Sequence, residues 1–290
     1  MIRYIETKSI LSKLRQPDPY FGITYNMNIY RGCQHACIYC DTRSKCYGID
    51  DISRISVKKN ALDLLTNELF TKRNKKATIG TGSMNDPYMP IEKETKLIRN
   101  ALKIIADEKF PVHIITKGHL VERDADILQE IAKTYAAVSF TITCAQDTLS
   151  QIIEPKAPKT SERFKALEKL AKKDIYTGIT LMPVLPFIND TKENISDIIR
   201  TAKEAGASYI IPMFGVTLRK GSRDYFYKAL DNSFPELKSN YQRYFGEQYE
   251  CYSPNYNLLK TTFRELSAKT GISTRMQFYQ PATYKQLSLF

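Results

Sequence analysis

"YRGCQHACIYCDTRSKC", residues 30–46, holds four of the six cysteines in a 290-residue chain. Three of them are spaced Cys33-x3-Cys37-x2-Cys40. Thiols this close together point to a metal or redox site, and two kinds compete. A structural zinc site wants four ligands, and Cys46 or His35 would supply the fourth. Zinc sites usually pair two short knuckles far apart in sequence, however, and this chain has no second knuckle. An iron–sulfur cluster is the other reading. Three cysteines in a tight loop wrap one corner of a cube and leave one iron open to a small molecule. On spacing alone both readings stand.

Outward from this loop, short β-rich runs alternate with longer amphipathic ones. The strands are expected at "ITYNMNIY" (23–30), "ATIGTG" (77–82), "VHIIT" (112–116), "AAVSFTIT" (136–143), "YTGITLMP" (176–183) and "SYIIPMF" (208–214). Helical periodicity runs through 57–73, 92–108, 124–134, 161–173 and 191–206. The last of these has Asp190 and Glu193 as a capping box, and Gly206 where a left-handed cap belongs. Strands alternating with helices imply right-handed βαβ units and a parallel sheet. The expected fold is therefore α/β, a partial (β/α)6 barrel of TIM type, short of the eight units of a complete one. After about residue 225 the rhythm gives way to Tyr-rich helical sequence. The chain divides into an N-terminal segment 1–22, the barrel 23–225, a helical C-terminal extension 226–280 and a tail 281–290.

In such sheets the working site lies at the C-terminal ends of the strands. "YRGCQHAC" follows the first strand, "GTGSMNDPY" ends the second, "TKGH" the third and "TCAQD" the fourth. Composition excludes little else. Hydrophobic residues make up 42% and charged residues 26%, and no apolar run approaches a membrane span. The start has no signal-peptide order, so a cytoplasmic location is expected, where clustered cysteines mean metal or redox chemistry rather than disulfides. The net charge of +12 favours polyanionic partners, nucleic acid above all.

The cysteine spacing, with Tyr39 just before the last cysteine and in the loop after the first barrel strand, resembles the radical S-adenosylmethionine (radical SAM) superfamily. "NIYRGCQHACIYCDTRS" (28–44), "NDPYMPIE" (85–92), "ITKGHLVERDADIL" (115–128), "EPKAPKTSERFKALEKL" (154–170) and "MPVLPFIND" (182–190) are similar in particular to its spore photoproduct lyase-like branch. The resemblance implies a 4Fe–4S cluster on Cys33, Cys37 and Cys40, with S-adenosylmethionine chelating the fourth iron. An electron, from a donor such as flavodoxin or ferredoxin, would cleave the sulfonium to a 5′-deoxyadenosyl radical that takes hydrogen from substrate. Tyr39 would flank the cluster or the adenine. The lyases use a cysteine at the end of the second strand as hydrogen donor. "GTGSMND" has none; Cys144, ending the fourth strand, is either such a donor or a buried inert thiol.

An amino-acid zwitterion needs acceptors for its ammonium and donors for its carboxylate. Gly80 and Gly82 permit close approach of backbone, and Ser83, Asn85 and Asp86 offer acceptors. Lys117 is placed to meet the carboxylate. Glu154 and Arg163 have two readings: the Arg fork holds a carboxylate or ribose, or it pairs with Glu154 as a clamp. His35 either donates to a cluster sulfide or packs.

The chain closes on Gln286, Leu287, Ser288, Leu289 and Phe290. "QLSLF" is similar to the peptide that bacterial replication and repair proteins insert into the sliding clamp, and is expected to act as a free peptide ligand. Charge, lyase-like core and tail together point to a radical SAM enzyme acting on DNA, in a repair function of lyase type. A radical SAM enzyme modifying RNA or protein is the second reading. A zinc-stabilised nucleic-acid-binding adaptor without catalysis is the third.

Overall fold

The computed structural model describes residues 2–281, so the clamp-like pentapeptide lies outside the described residues. The chain runs through β1 (Arg3–Ile5), β2 (Leu11–Lys13), β3 (Tyr25–Met27) and β4 (Tyr30–Arg31) into the cysteine loop. It leaves by β5 (Ser56–Lys58), α1 (Ala61–Lys72), β6 (Ile79–Thr81), α2 (Glu92–Thr95) and α3 (Leu97–Asp107). Then come β7 (Val112–Thr116), α4 (Ala125–Ala132), β8 (Ala136–Thr141), α5 (Asp147–Ile153), α6 (Thr160–Ala171), β9 (Tyr176–Leu181), α7 (Lys192–Glu204) and β10 (Tyr209–Pro212). The remainder is β11 (Gly215–Thr217), α8 (Ser222–Ser233), α9 (Leu237–Phe245), β12 (Glu250–Tyr252) and α10 (Tyr256–Thr270).

Six strands form a parallel array in the order β10-β9-β8-β7-β6-β3, and β2 adds antiparallel beyond β3. β10 and β2 are the two edges, so the sheet does not close. This is the expected partial barrel. Every residue of β8 is buried, as a strand covered on both faces requires. The covering helices turn one stripe inward: Ile98, Ala101, Leu102 and Ile105 on α3, and Ile195, Ile198, Ile199 and Ala202 on α7.

Three details differ from expectation, each through a tertiary contact. The helix expected over 92–108 breaks at Lys96, which takes φ +51°. The buried Glu92 carboxylate accepts the N–H groups of Ile98 at 3.0 Å and Arg99 at 3.3 Å, so it caps α3 from outside its axis. Val57 and Lys58, expected in a helix, lie in β5 between β1 and β4. Asp190 does not cap α7. Thr191 does, accepting the Asn194 N–H at 3.1 Å, while Asp190 accepts the Ser253 hydroxyl at 2.5 Å. Gly206 does adopt the left-handed conformation, with φ +81°.

The C-terminal helices are joined to the barrel through β12, which pairs antiparallel with β11. A second apolar cluster gathers Cys37, Ile38 and Tyr39 with Val216, Leu218, Phe226, Tyr241 and Phe245. The cysteine loop therefore rests on the C-terminal helices as well as on the barrel.

Candidate active site

The cysteine loop is held by its backbone. Gly32 has φ +91°, and a β-carbon there would lie 2.7 Å from the carbonyl oxygens of Ile52 and Arg54. No other residue enters that turn without displacing chain. Cys33 N–H then donates to Ile52 O at 2.8 Å. Ala36, between the first two cysteines, is left-handed at φ +57°, which costs a non-glycine residue about 1–2 kcal/mol. The surroundings hold it there: Lys156 N–H donates to His35 O at 3.1 Å, and Ile38 N–H to Ile153 O at 2.9 Å.

Beside this loop, at the C-terminal ends of the barrel strands, lies a cavity of about 330 Å3. That is the lower end of the size range for small-molecule pockets. Cys33, Cys37 and Cys40 line it together with Tyr39, Gly82, Ser83, Asn85, Asp86 and Lys117. With His35, which also lines the cavity, the structure thus brings together ten residues singled out from the sequence. All three thiols are free; Cys37 is buried and the others half-buried. Burial, with a smaller effect from Asp86, pushes the Cys33 thiol up to about 11, and burial raises Cys37 further.

The donor set suits a cluster. Three free thiols from one tight loop line a single cavity. A zinc ion draws four ligands to a point, whereas a four-iron cube takes each thiolate at a separate corner. Of the fourth zinc ligands considered, His35 lines the cavity but is engaged by Asp86, and Cys46 lies away from it. His35 Nδ1 lies 3.3 Å from Asp86, and exposed Cys46 accepts from Arg219 Nη1 at 3.6 Å.

Asp86 is fully engaged. It accepts the Thr116 hydroxyl and the Lys117 N–H, each at 2.6 Å, and the Tyr88 N–H at 2.9 Å, besides facing His35. Burial opposes its charge, but His35 and these donors hold its carboxyl well below the usual range. It therefore locks the cysteine loop to the end of β7. Asn85 donates to Tyr30 O at 2.6 Å. Gly82 has φ +90°, and a β-carbon there would meet Ile115 O at 2.1 Å. Lys117 Nζ stands 5.6 Å from the centre of the Tyr39 ring.

Glu154 and Arg163 do not line the cavity. They form a buried ion pair at 2.5 Å, and Arg163 also donates to Pro158 O and Thr141 O, each at 2.9 Å. Tyr39 donates its hydroxyl to the other Glu154 oxygen. Of the two readings, the structure has the clamp, set behind Tyr39. Cys144 also lies off the cavity, 1% exposed, with the Asn189 amide nitrogen 3.5 Å from its sulfur. Burial pushes its thiol up to about 12.

The far wall was not foreseen from the sequence. Met182, Pro183 and Met213 follow β9 and β10, and Val216 and Thr217 come from β11. The first three stand at strand ends, so the placement rule applied to the fifth and sixth strands was available to locate them.

The sequence pattern of the Radical SAM superfamily matches residues 27–202. An uncharacterized protein of Methanocaldococcus jannaschii is 33% identical over 236 residues, which cover 78% of this chain and 85% of that protein. An uncharacterized protein of Mycobacterium bovis is 28% identical over 225 residues, 75% of this chain but 66% of its own length. The chain thus spans just under two thirds of that relative. Among solved structures, spore photoproduct lyase complexed with dinucleoside spore photoproduct superposes with a TM-score of 0.69 at 16% identity. That match covers 93% of this chain and 79% of the lyase chain, a likeness of fold.

Proposed function

This chain belongs to the Radical SAM superfamily, and we propose that it is a radical SAM enzyme in which Cys33, Cys37 and Cys40 hold a 4Fe–4S cluster, that S-adenosylmethionine binds beside it, and that the substrate is DNA. The observation that carries the reading is the placement of three free thiols and the Ser83–Lys117 ends of two strands around one cavity. Cluster and co-substrate together supply reductive cleavage of a sulfonium and abstraction of hydrogen.

The chain's own residues bind, orient and exclude water. Lys117 offers a cation to the methionyl carboxylate, and Ser83 and Asn85 offer oxygens to its ammonium. Gly82 lets backbone approach where a side chain would intrude. Asp86, saturated by its own donors, acts by fixing His35 and thereby the loop. Glu154 and Arg163 act through Tyr39, as positioning residues. The thioethers of Met182 and Met213 give an adaptable, polarisable wall suited to a flat base.

DNA as substrate rests on the net charge of +12 and on a fold shared with an enzyme whose solved complex contains a dinucleoside spore photoproduct. A reaction of lyase type in DNA repair follows from the same resemblance, and a cytoplasmic location fits six free cysteines. Anaerobic reconstitution with iron and sulfide tests the enzyme. A brown protein that releases 5′-deoxyadenosine with dithionite supports the reading; a colourless zinc protein overturns it. Incubation with ultraviolet-irradiated and intact oligonucleotides, read by mass, tests the substrate: a mass change confined to one of them supports DNA, and none in either refutes it.

A further inference from the structure

Outside the cavity, two more depressions continue around the outer face of the cysteine loop. Met84 and Asn85 line both the cavity and the first depression, which also holds Arg31 and Lys58. Ile49 is common to the first and the second, and the second holds Arg43 and Lys45. The shared wall residues make the three depressions neighbours, set side by side around the loop and forming a grooved face next to the cavity.

The groove holds more cations than carboxylates. Its carboxylates are Glu6, already 2.8 Å from Lys59 Nζ, and Asp50. Among the described residues none of the four cations makes an ion pair. Lys58 is half-buried, and burial, then the neighbouring Arg31, lowers its pKa. The cations are also pre-placed. Arg31 Nη2 donates to Gly48 O at 2.5 Å, which holds its guanidinium against the loop. Arg43 lies 3.6 Å over the Tyr225 ring, with its Nε buried and without a hydrogen-bond partner.

A small anion would fill one depression. Successive cations in neighbouring depressions beside the cavity suit a polymer with a charge on every unit. Guanidinium groups among tyrosines suit phosphate beside flat bases better than they suit a carboxylate chain. We infer that this groove is the track that holds the phosphodiester backbone of a nucleic-acid strand while one of its nucleotides faces the cavity. The inference rests on the DNA reading above and narrows it to a surface.

The test compares two full-chain, reconstituted double variants that each lose two positive charges. K45Q/K58Q takes one cation from each depression; K103Q/K165Q takes two exposed ones from the outer helices α3 and α6. Fluorescence anisotropy with a labelled single-stranded deoxyoligonucleotide, and with RNA of the same sequence, is followed across a salt series. K45Q/K58Q is expected to weaken binding roughly tenfold and to flatten log K against log [salt] by roughly 1.4, two contacts at about 0.7 each. K103Q/K165Q is expected to change neither. Equal losses for DNA and RNA assign the contact to the shared phosphodiester; a loss confined to one keeps the track and adds a sugar contact. If the two variants behave alike while the parent binds, the track is refuted and the DNA reading survives. If the parent binds neither nucleic acid, or binds polyglutamate as tightly, both fall.

Discussion

Glu154 and Arg163 stand 2.5 Å apart with essentially no exposure, and Glu154 is at once the acceptor for the Tyr39 hydroxyl. Burial opposes charge on Glu154, but Arg163 and then Lys117 keep its carboxyl below the usual range. A buried pair of this kind contributes little net stability when intact and costs much when halved. Arg163→Met should therefore lose about 3–5 kcal/mol in urea denaturation. Adding Glu154→Gln should recover a large part of that loss. A simple sum of the two single losses would show that the residues do not act as a unit.

Asp86→Asn preserves shape but turns an amide N–H toward groups that themselves donate. One or two of the Thr116, Lys117 and Tyr88 contacts go unmet, which costs about 1–3 kcal/mol each. His35 also loses its carboxylate. The variant should fold, yet take up less iron on reconstitution than the parent. Full iron uptake would show that the loop is positioned without Asp86.

Gly82→Ala sets a β-carbon 2.1 Å from Ile115 O in a left-handed conformation. It should cost at least the roughly 1–3 kcal/mol of such strain, plus whatever β7 must yield. Thermal melts read this directly, and an unchanged midpoint would mean that β6 and β7 can separate at this point.

His113 lies in the barrel interior, its Nε2 2.7 Å from Ser139 Oγ, and burial lowers its pKa from 6.5 to about 3. The folded state thus stays neutral where the unfolded state takes a proton. Its contribution to stability is present above pH 6.5 and is lost as pH falls toward 3. Between pH 7 and pH 4 the loss is roughly 3 kcal/mol at about 1.4 per unit. His113→Gln should flatten stability against pH by that amount in this window. An unaltered slope would mean that other groups govern the acid limb.

How far the fold shows in the sequence depends on what each element answers to. β7 and β8 are apolar runs because both faces are covered, and that is a local signal. The break at Lys96 is not local. Residues 92–108 keep helical periodicity throughout, and the interruption comes from Glu92 folding back to cap α3 while held by Arg123 at 2.7 Å. At the site, the cysteines stood out by their spacing, Gly82 and Lys117 by standing at strand ends, and Tyr39 through the resemblance to the superfamily. Glu154 and Arg163 were legible as a pair but not as to role, since an Arg fork suits a ligand and a carboxylate neighbour equally well. Met182 and Met213 carry no chemical signature; only their positions after β9 and β10 reveal them.

The pairing of β11 with β12 bears on how this chain can be divided. A fragment stopping at Pro212 would keep all six parallel strands and look like a finished catalytic module. It would lack Met213, Val216 and Thr217, and the chamber would stand unwalled on that side. Residues 250–252, far downstream, brace that wall through β12. Transplanting the barrel alone, or swapping the helices behind it for those of a relative, would therefore rebuild the reaction vessel rather than merely trim an appendage.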